Sequence, residues 1–462
     1  MNPSPAIAIF DIGKTNKKLF VFDEQYSILL ERSTQFEEVT DEDGDACENL
    51  EALTAWVKQS LNELMQMGEI CIKALNFSTY GASFVHTDRE GRPVAPLYNY
   101  LKPFPDDLRE KFYSRYGGET VFSIQTASPV LGNLNSGLQL YYLKEKKPAL
   151  FKKIHASLHL PQYMSYLVTG WMYSDITSIG CHTGLWNFTE NHYHEWLQQE
   201  GIADKLSPIF PSDQLIVTNW QGKPLLCGAG LHDSSAALIP YLAGFKEPFV
   251  LISTGTWCIS LNPFNQTPLT GDELQQDCLC YMEYRGKPVK ASRLFAGFEH
   301  EKQVKRLAAH FKVPESEYKK IVFDAAVVRQ LAARTNKTNT AAAPMMQVSA
   351  FEKRDLSLYS SYSEAYHQLI MDIMVLQLAS TRLVLKGAAV KKIFVDGGFG
   401  KNAVYMQLLA AAFPQMEVYA ASVAQASAIG AALAVHPYWN KNNFPAGLIE
   451  LKHYTDIEAI EI

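Results

Sequence analysis

Residues 6–23 read Ala-Ile-Ala-Ile-Phe-Asp-Ile-Gly-Lys-Thr-Asn-Lys-Lys-Leu-Phe-Val-Phe-Asp. Two apolar runs, residues 6–10 and 19–22, flank a polar segment that holds Asp11, Gly13, Thr15, Asn16 and three lysines, Lys14, Lys17 and Lys18. Short runs rich in Ile, Val and Phe predict buried strands, and the glycine-containing segment between them predicts a hairpin turn. Backbone N–H groups, hydroxyl and amide donors and lysines in a turn, with a carboxylate at the strand end, suit a polyphosphate and its Mg²⁺. A surface hairpin with solvated lysines fits the same residues, because no G-x-x-x-x-G-K-[ST] phosphate loop is present.

The same design recurs half a chain later. Residues 249–261, Phe-Val-Leu-Ile-Ser-Thr-Gly-Thr-Trp-Cys-Ile-Ser-Leu, again run apolar strand, Gly-Thr turn, apolar strand. Identity between the two is low, but the repeated plan predicts a fold built twice. The boundary falls just before the second hairpin, giving expected domains 1–245 and 246–462.

Between the hairpins, residues 50–64 place Leu50, Leu53, Val57, Leu61 and Leu64 at helical spacing, so a helix is predicted over 49–67. Residues 70–77 return to a strand pattern that breaks at Tyr80-Gly81, an edge able to hold a small polar ligand or a simple bulge. A helix is expected over 158–170, ending on Gly170. Residues 225–237, Leu-Leu-Cys-Gly-Ala-Gly-Leu-His-Asp-Ser-Ser-Ala-Ala, read as strand, glycines and then a small-residue helix. Asp233 then stands at a helix N-terminus, where capping is the ordinary duty of an Asp.

In the second half, 362–385 is a long helical pattern. Residues 391–402 run from a strand into Asp396-Gly397-Gly398 and on to Asn402, which puts backbone N–H groups at a helix start. The G-x-G-x-x-G spacing of a dinucleotide fold is absent, which counts against a Rossmann oxidoreductase. Residues 422–435 form an alanine-rich helix whose small residues permit close packing on a helix of the other half.

A chain of 462 residues exceeds one core and predicts two or more domains. Hydrophobic content of 47% with 19% charged residues is an ordinary globular profile. A net charge of −6 argues against nucleic acid or an anionic membrane as partner, though not against a nucleotide served by local lysines. No leader of the secretory kind and no uninterrupted apolar run of ~18 residues is seen, so the expectation is a cytoplasmic protein. Seven cysteines, with only Cys278 and Cys280 close together, predict reduced, mostly buried thiols and no zinc site.

Singly these motifs are soft, but their order is specific. Asp11-Ile-Gly-Lys-Thr-Asn, Gly-Leu-His-Asp233, Ser-Thr-Gly-Thr, Asp396-Gly-Gly with Asn402, and Ala-Ile-Gly-Ala-Ala together resemble the FGGY family of carbohydrate kinases over nearly the whole chain. The resemblance implies an α/β protein of two actin-like (ribonuclease-H-like) ATPase domains with an interdomain cleft. It implies phosphorylation of a sugar or polyol by ATP with Mg²⁺. Thr-Tyr80-Gly81 and Gly-Thr-Trp257 resemble the members acting on the deoxyketoses L-rhamnulose and L-fuculose. Ser83 and the segment Tyr98-Asn-Tyr100-Leu-Lys102 depart from relatives at positions that shape the sugar pocket. A xylulokinase-like or polyol kinase is therefore the alternative, and a non-catalytic sugar-binding protein on the same fold a more remote one.

The resemblance also implies roles. Asp233 is the general base and Asp11 the Mg²⁺ ligand. Gly13, Lys14, Thr15, Asn16 and Lys18 meet the β- and γ-phosphates, joined by Gly255 and Thr256. Gly297, Gly398 and Asn402 line the adenosine site, with Glu301 either a nucleotide contact or a solvated helix residue. Tyr80, Gly81, His232 and Asp233 meet the sugar, and for His232 a packed core histidine is the competing role. The implied partner is a small sugar, with no nucleic acid and no membrane; self-association into a homodimer is left open.

Overall fold

The two strands of the opening stretch pair as a hairpin, and the sheet of the first unit grows from them. The computed structural model describes residues 4–335, 349–445 and 447–455. Strand β1 (Ser4–Ile12) lies antiparallel to β2 (Lys17–Asp23), with Asp11 opposite Lys18, and β3 (Ile28–Thr34) continues on the far side of β2. On its other edge β1 runs parallel to β4 (Ile70–Thr79), then come β6 (Lys223–Gly228) and β5 (Leu215–Trp220), in the order β5-β6-β4-β1-β2-β3. A two-residue strand, β7 (Leu231–His232), pairs with the end of β4.

Both faces of β1 are buried, which is why residues 6–10 read as a continuous apolar run rather than an alternating one. Phe10 stacks on Phe77 and meets the edge of Trp56, whose helix α1 (Leu50–Gln66) turns Leu53, Val57, Leu61 and Leu64 into the core. The Asn49 side chain caps that helix by accepting the Ala52 N–H. Helix α2 (Leu160–Thr169) ends on Gly170 in the left-handed conformation (φ +71°). It starts later than expected: residues 156–159 instead pair as a strand with Phe84–Thr87, and Pro161 occupies the first turn. Helix α3 (Asp233–Gly244) follows β7 directly.

The second unit repeats the plan. Strand β8 (Phe249–Thr254) has β9 (Cys258–Asn262) antiparallel on one side and β12 (Lys392–Gly397) parallel on the other. With β10 (Cys278–Met282), β11 (Pro288–Leu294), β13 (Glu417–Ser422) and β14 (Glu450–Tyr454), the order is β10-β11-β9-β8-β12-β13-β14. Each unit thus sets one hairpin strand between an antiparallel and a parallel neighbour. Helices α4 (Ala296–Phe311), α5 (Tyr362–Leu385) and α6 (Ala403–Ala412) build the core of this unit. By length and composition, over its most apolar 18 residues, α5 is apolar enough to cross a membrane. Glu364, His367, Asp372 and Arg382 interrupt its apolar run. That 18-residue stretch is 67% buried inside the protein, as for a core helix.

A single cut at residue 245 does not describe the units. The first comprises Met1–Gly244 together with Cys280–Pro288 and Ala424–Leu448; the second holds Phe245–Leu279, Val289–Val423 and Ile449–Ile462. Two segments from within 246–462 thus group with the first unit, through packing contacts. Met282 lies against Gly180, where a Cβ would stand 2.2 Å from its Cγ. The alanine-rich helix Ala426–Ala434 packs on α3, as its small residues predict. At Gly430 a Cβ would stand 1.8 Å from the Ala236 carbonyl oxygen, so only glycine allows this approach.

Candidate functional site

Three parallel strands of the first unit end side by side. Asp11 of β1 is level with Ser78 of β4, which is level with Leu231 of β7; Ile12, Thr79 and His232 form the next row. Asp233 follows His232 at once and opens α3. Two strand spacings, about 10 Å of backbone, thus separate Asp11 from the His232-Asp233 pair. The carboxyl ends of parallel strands are where α/β sheets bind ligands.

Asp11 accepts a hydrogen bond from Ser427 Oγ (2.8 Å), supplied by the returning helix. Its pKa is raised to about 6, chiefly by burial and further by the negative charge of Asp233, while Ser427 and Ser78 pull the other way. Asp233 is likewise raised to about 6 by desolvation. Its side chain still keeps 36% of its surface, so a small molecule can reach it. A helix cap would accept the N–H of the second or third residue onward. Asp233 instead takes the N–H of Ser234 (2.6 Å) and its hydroxyl (3.3 Å), with His232 Nε2 at 3.3 Å. All three contacts fall on Oδ1, and Oδ2 is left available among the described residues.

His232 is buried and its pKa is pushed down to about 4 by desolvation, so the imidazole is neutral. Its backbone N–H donates to Thr177 Oγ1 (3.0 Å), its Nε2 stands 3.6 Å from Cys181 Sγ, and Nδ1 has no hydrogen-bond partner among the described residues. Gly81 makes room for the ring: a Cβ there would meet Cδ2 at 2.7 Å and Nε2 at 2.8 Å. Tyr281, on the returning 280–288 segment, lies 6.1 Å from the His232 ring. Tyr80 is buried, with its ring 6.1 Å from that of Tyr100 and the Lys14 ammonium 5.8 Å from its centre.

In the hairpin turn the Gly13 N–H donates to the Asn16 carbonyl (2.9 Å). Thr15 and Asn16 are exposed. Lys14 pairs with Glu38 (2.8 Å), Asn16 Oδ1 accepts from Gln35 (2.6 Å), and Lys18 reaches Glu31 and Gln425, each at 3.4 Å. Lys17 differs from its two neighbours: its side chain is buried and paired with Glu48.

In the second unit the Gly255 N–H donates to the Trp257 carbonyl (2.8 Å), and a Cβ on Gly297 would stand 1.9 Å from the Gly255 oxygen. The start of α4 is thereby held against the hairpin turn. Gly397, at φ +93°, packs on Thr254, and the Gly398 N–H donates to the Thr254 carbonyl (3.1 Å). Asn402 caps α6 through the Tyr405 N–H and donates to Tyr366 Oη (2.7 Å), so both its polar atoms are engaged. Glu301 is 66% exposed and pairs with Lys305 one turn on (2.6 Å), the arrangement of a solvated helix residue.

No group of three or more His, Cys, Asp or Glu side chains able to hold a metal occurs among the described residues. Mg²⁺ asks for less, since it keeps several waters and takes one or two carboxylates plus phosphate oxygens. Asp11 and Asp233, whose charges repel each other in buried surroundings, are a donor set that such a cation would relieve.

Composition gave no signal for Ser427, Ser78, Cys181 or Tyr281. They reach the site only through long-range pairing.

Family comparison places the chain. Residues 6–228 match the N-terminal domain of the FGGY family of carbohydrate kinases, and residues 246–443 match the FGGY C-terminal domain. The chain belongs to the FGGY family of carbohydrate kinases, a class of phosphotransferases. Among curated relatives, a rhamnulokinase of Halalkalibacterium halodurans is 28% identical over 171 residues, 37% of this chain and 35% of that protein. The match thus spans about a third of that relative's length. A carbohydrate kinase from Novosphingobium aromaticivorans superposes with a TM-score of 0.79 at 20% identity, covering 99% of this chain and 95% of that one. A ligand-bound xylulose kinase from Lactobacillus acidophilus gives 0.76 at 15% identity, covering 98% and 94%. These neighbours share the two-domain actin-like fold.

Proposed function

We propose that this protein transfers the γ-phosphoryl group of ATP to a hydroxyl of a ketose, with a deoxyketose such as L-rhamnulose or L-fuculose as substrate. The observation that carries the reading is the pair Asp11 and Asp233 at the carboxyl ends of two parallel strands that flank β4, one tethered by Ser427 and the other with an oxygen to spare among the described residues. Phosphoryl transfer asks mainly for positioning and neutralisation of charge. Asp233 takes the proton of the attacking hydroxyl through Oδ2. A pKa near 6 leaves it ionised at neutral pH yet basic enough to accept that proton. Asp11 would hold Mg²⁺, which when bound supplies positive charge to the phosphate oxygens.

The Gly13–Lys18 turn offers N–H groups and the ammonium groups of Lys14 and Lys18 to the β- and γ-phosphates. In the second unit, nucleotide contacts are assigned to Gly255, Thr256, Gly297 and Gly398, with Asn402 acting through its hold on α6. Glu301 is left out of this set, since its carboxylate is solvated and paired. The sugar is met by Tyr80, Gly81 and His232, and Tyr100 and Tyr281 join them on their position. The local rhamnulokinase match supports the deoxyketose choice. A cytoplasmic site of action suits a sugar phosphate and the ATP it comes from.

The test is a panel of L-rhamnulose, L-fuculose, D-xylulose, L-ribulose and glycerol with coupled detection of ADP. Turnover on L-rhamnulose or L-fuculose at least tenfold above the others is the expected result. A preference for D-xylulose or glycerol overturns the substrate, and sugar binding without ADP release overturns the kinase reading.

A further inference from the structure

Lys17 is one of the largest wholly buried side chains in the protein, at 1% exposure, and its partner Glu48 is 4% exposed. The ammonium lies 3.0 Å from Oε1 and 3.1 Å from Oε2 of Glu48, and donates to the Lys14 carbonyl at 2.9 Å. Tyr80 Oη donates to the same carboxylate (Oε2, 3.2 Å), while the Tyr80 N–H donates to the Ile12 carbonyl (3.0 Å). The Lys14 ammonium then sits over the Tyr80 ring, which closes a circuit from Lys14 through Lys17, Glu48 and Tyr80 back to Lys14. All three of the hydrogen atoms on Lys17 Nζ have an acceptor in reach, so this lysine has no donor left for a phosphate.

A buried ion pair is a poor way to gain stability, because desolvation of both groups offsets most of their attraction. What such a pair does well is fix geometry. Here it links the tip of the Gly13–Lys18 turn, through Lys14, to Tyr80 beside Gly81. We propose that Lys17 and Glu48 are positioning residues that couple the phosphate turn to the sugar-contacting edge, so that disturbing Tyr80 loosens the grip on nucleotide. This rests on the kinase reading, which places phosphate at that turn and sugar at Tyr80.

The experiment measures MgATP affinity by calorimetry, with melting temperature alongside, for the full-length wild type, Tyr80→Phe, the paired change Lys17→Met with Glu48→Leu, and all three together. Tyr80→Phe removes one hydroxyl and nothing from the phosphate turn, so it folds even if the paired change does not. We expect Tyr80→Phe to weaken MgATP binding about three- to tenfold with the melting temperature unchanged. The paired change should weaken it at least as much, and the combination no further, since all three cut one circuit. Unchanged affinity in Tyr80→Phe, or effects that multiply in the combination, overturns the coupling while leaving the kinase reading intact. A wild type that binds no MgATP overturns that reading and the coupling with it.

Discussion

Gly81 and His232 approach so closely that one methyl group on Gly81 would stand 2.7 Å from the imidazole Cδ2. The glycine therefore shapes the proposed sugar site by virtue of what it lacks. It fixes how far the ring can lean toward β4, and through the ring the 3.3 Å contact with Asp233.

Gly81→Ala tests that dependence. The backbone there does not demand glycine, so the substitution acts by displacing the ring. Overpacking of this kind costs ~1–3 kcal/mol. The expected kinetic signature is a rise of at least about tenfold in KM for the sugar, with KM for ATP changed less than twofold. Unaltered sugar KM would show that His232 does not meet the substrate.

Asp233→Asn removes the proposed base while keeping its shape and its contact with Ser234. Loss of a positioned base lowers kcat by roughly 10²–10⁴. MgATP affinity should hold, and melting temperature should hold or rise at neutral pH, because the variant loses only a carboxylate whose ionisation burial disfavours. Turnover within tenfold of wild type would remove Asp233 from that role.

The pH profile follows from the same residue. With its pKa near 6, Asp233 is ionised above that value, so kcat/KM should fall as pH drops through about 6. Its neighbour Asp11 titrates in the same range, and the acid limb reports the coupled pair rather than either group alone. An acid limb centred near pH 4, the value of an ordinary carboxyl, contradicts the assignment.

Asp175 gives the stability counterpart. It is wholly buried, accepts the Thr177 N–H (2.8 Å) and the hydroxyls of Thr177 and Ser212, and has its pKa raised to about 6 by desolvation. A folded-state pKa above the unfolded value means the fold holds the proton longer. The stabilisation is therefore complete below about pH 3.8 and lost as pH rises through about 6. The shift from 3.8 to about 6 corresponds to at most about 3 kcal/mol. Wild type should lose ground to Asp175→Asn by up to that amount between pH 4 and 7.5, measured by urea unfolding. A difference independent of pH would mean that Asp175 titrates normally.

Gly430→Ala should separate the returning helix from α3. The added methyl would stand 1.8 Å from the Ala236 carbonyl oxygen, which no rotamer can avoid. Because Ser427 tethers Asp11 from one of these helices and Asp233 opens the other, both carboxylates shift. The expected outcome is a melting temperature lower by several degrees together with a kcat loss of at least tenfold. Full activity in a destabilised variant would show that the site tolerates the movement.

Much of this is legible in the sequence, and for local reasons. Residues 6–10 and 19–22 show two apolar runs about a turn, and a hairpin is the short-range solution. The spacing of Leu50, Leu53, Val57, Leu61 and Leu64 marks one helical face, and it is the buried one. What periodicity does not carry is the identity of a distant partner. Ser427 reads as one small residue in an alanine-rich helix, and nothing local announces that it bonds a carboxylate 416 positions away. The three lysines of the first turn look alike in sequence. Only the fold buries Lys17 against Glu48 while its neighbours stay partly solvated. For Asn402 and Glu301, which the resemblance alone brought forward and Glu301 only as one of two roles, the fold supplies local partners: Asn402 caps α6 and Glu301 pairs with Lys305.

The helix Ala426–Ala434 completes the first unit from far along the chain, and that bears on how the protein is made. During synthesis β1 to α3 leave the ribosome some 180 residues before the element that packs on α3 and tethers Asp11. Until then the face of α3 that carries Ala236 lacks this partner, and an uncovered helix face is open to chaperones and to misassembly. The same logic forbids dividing the chain at residue 245 into two separately expressed halves: the front half alone would lack its final helix, and a peptide spanning residues 424–448 supplied in trans is the reagent that should restore it.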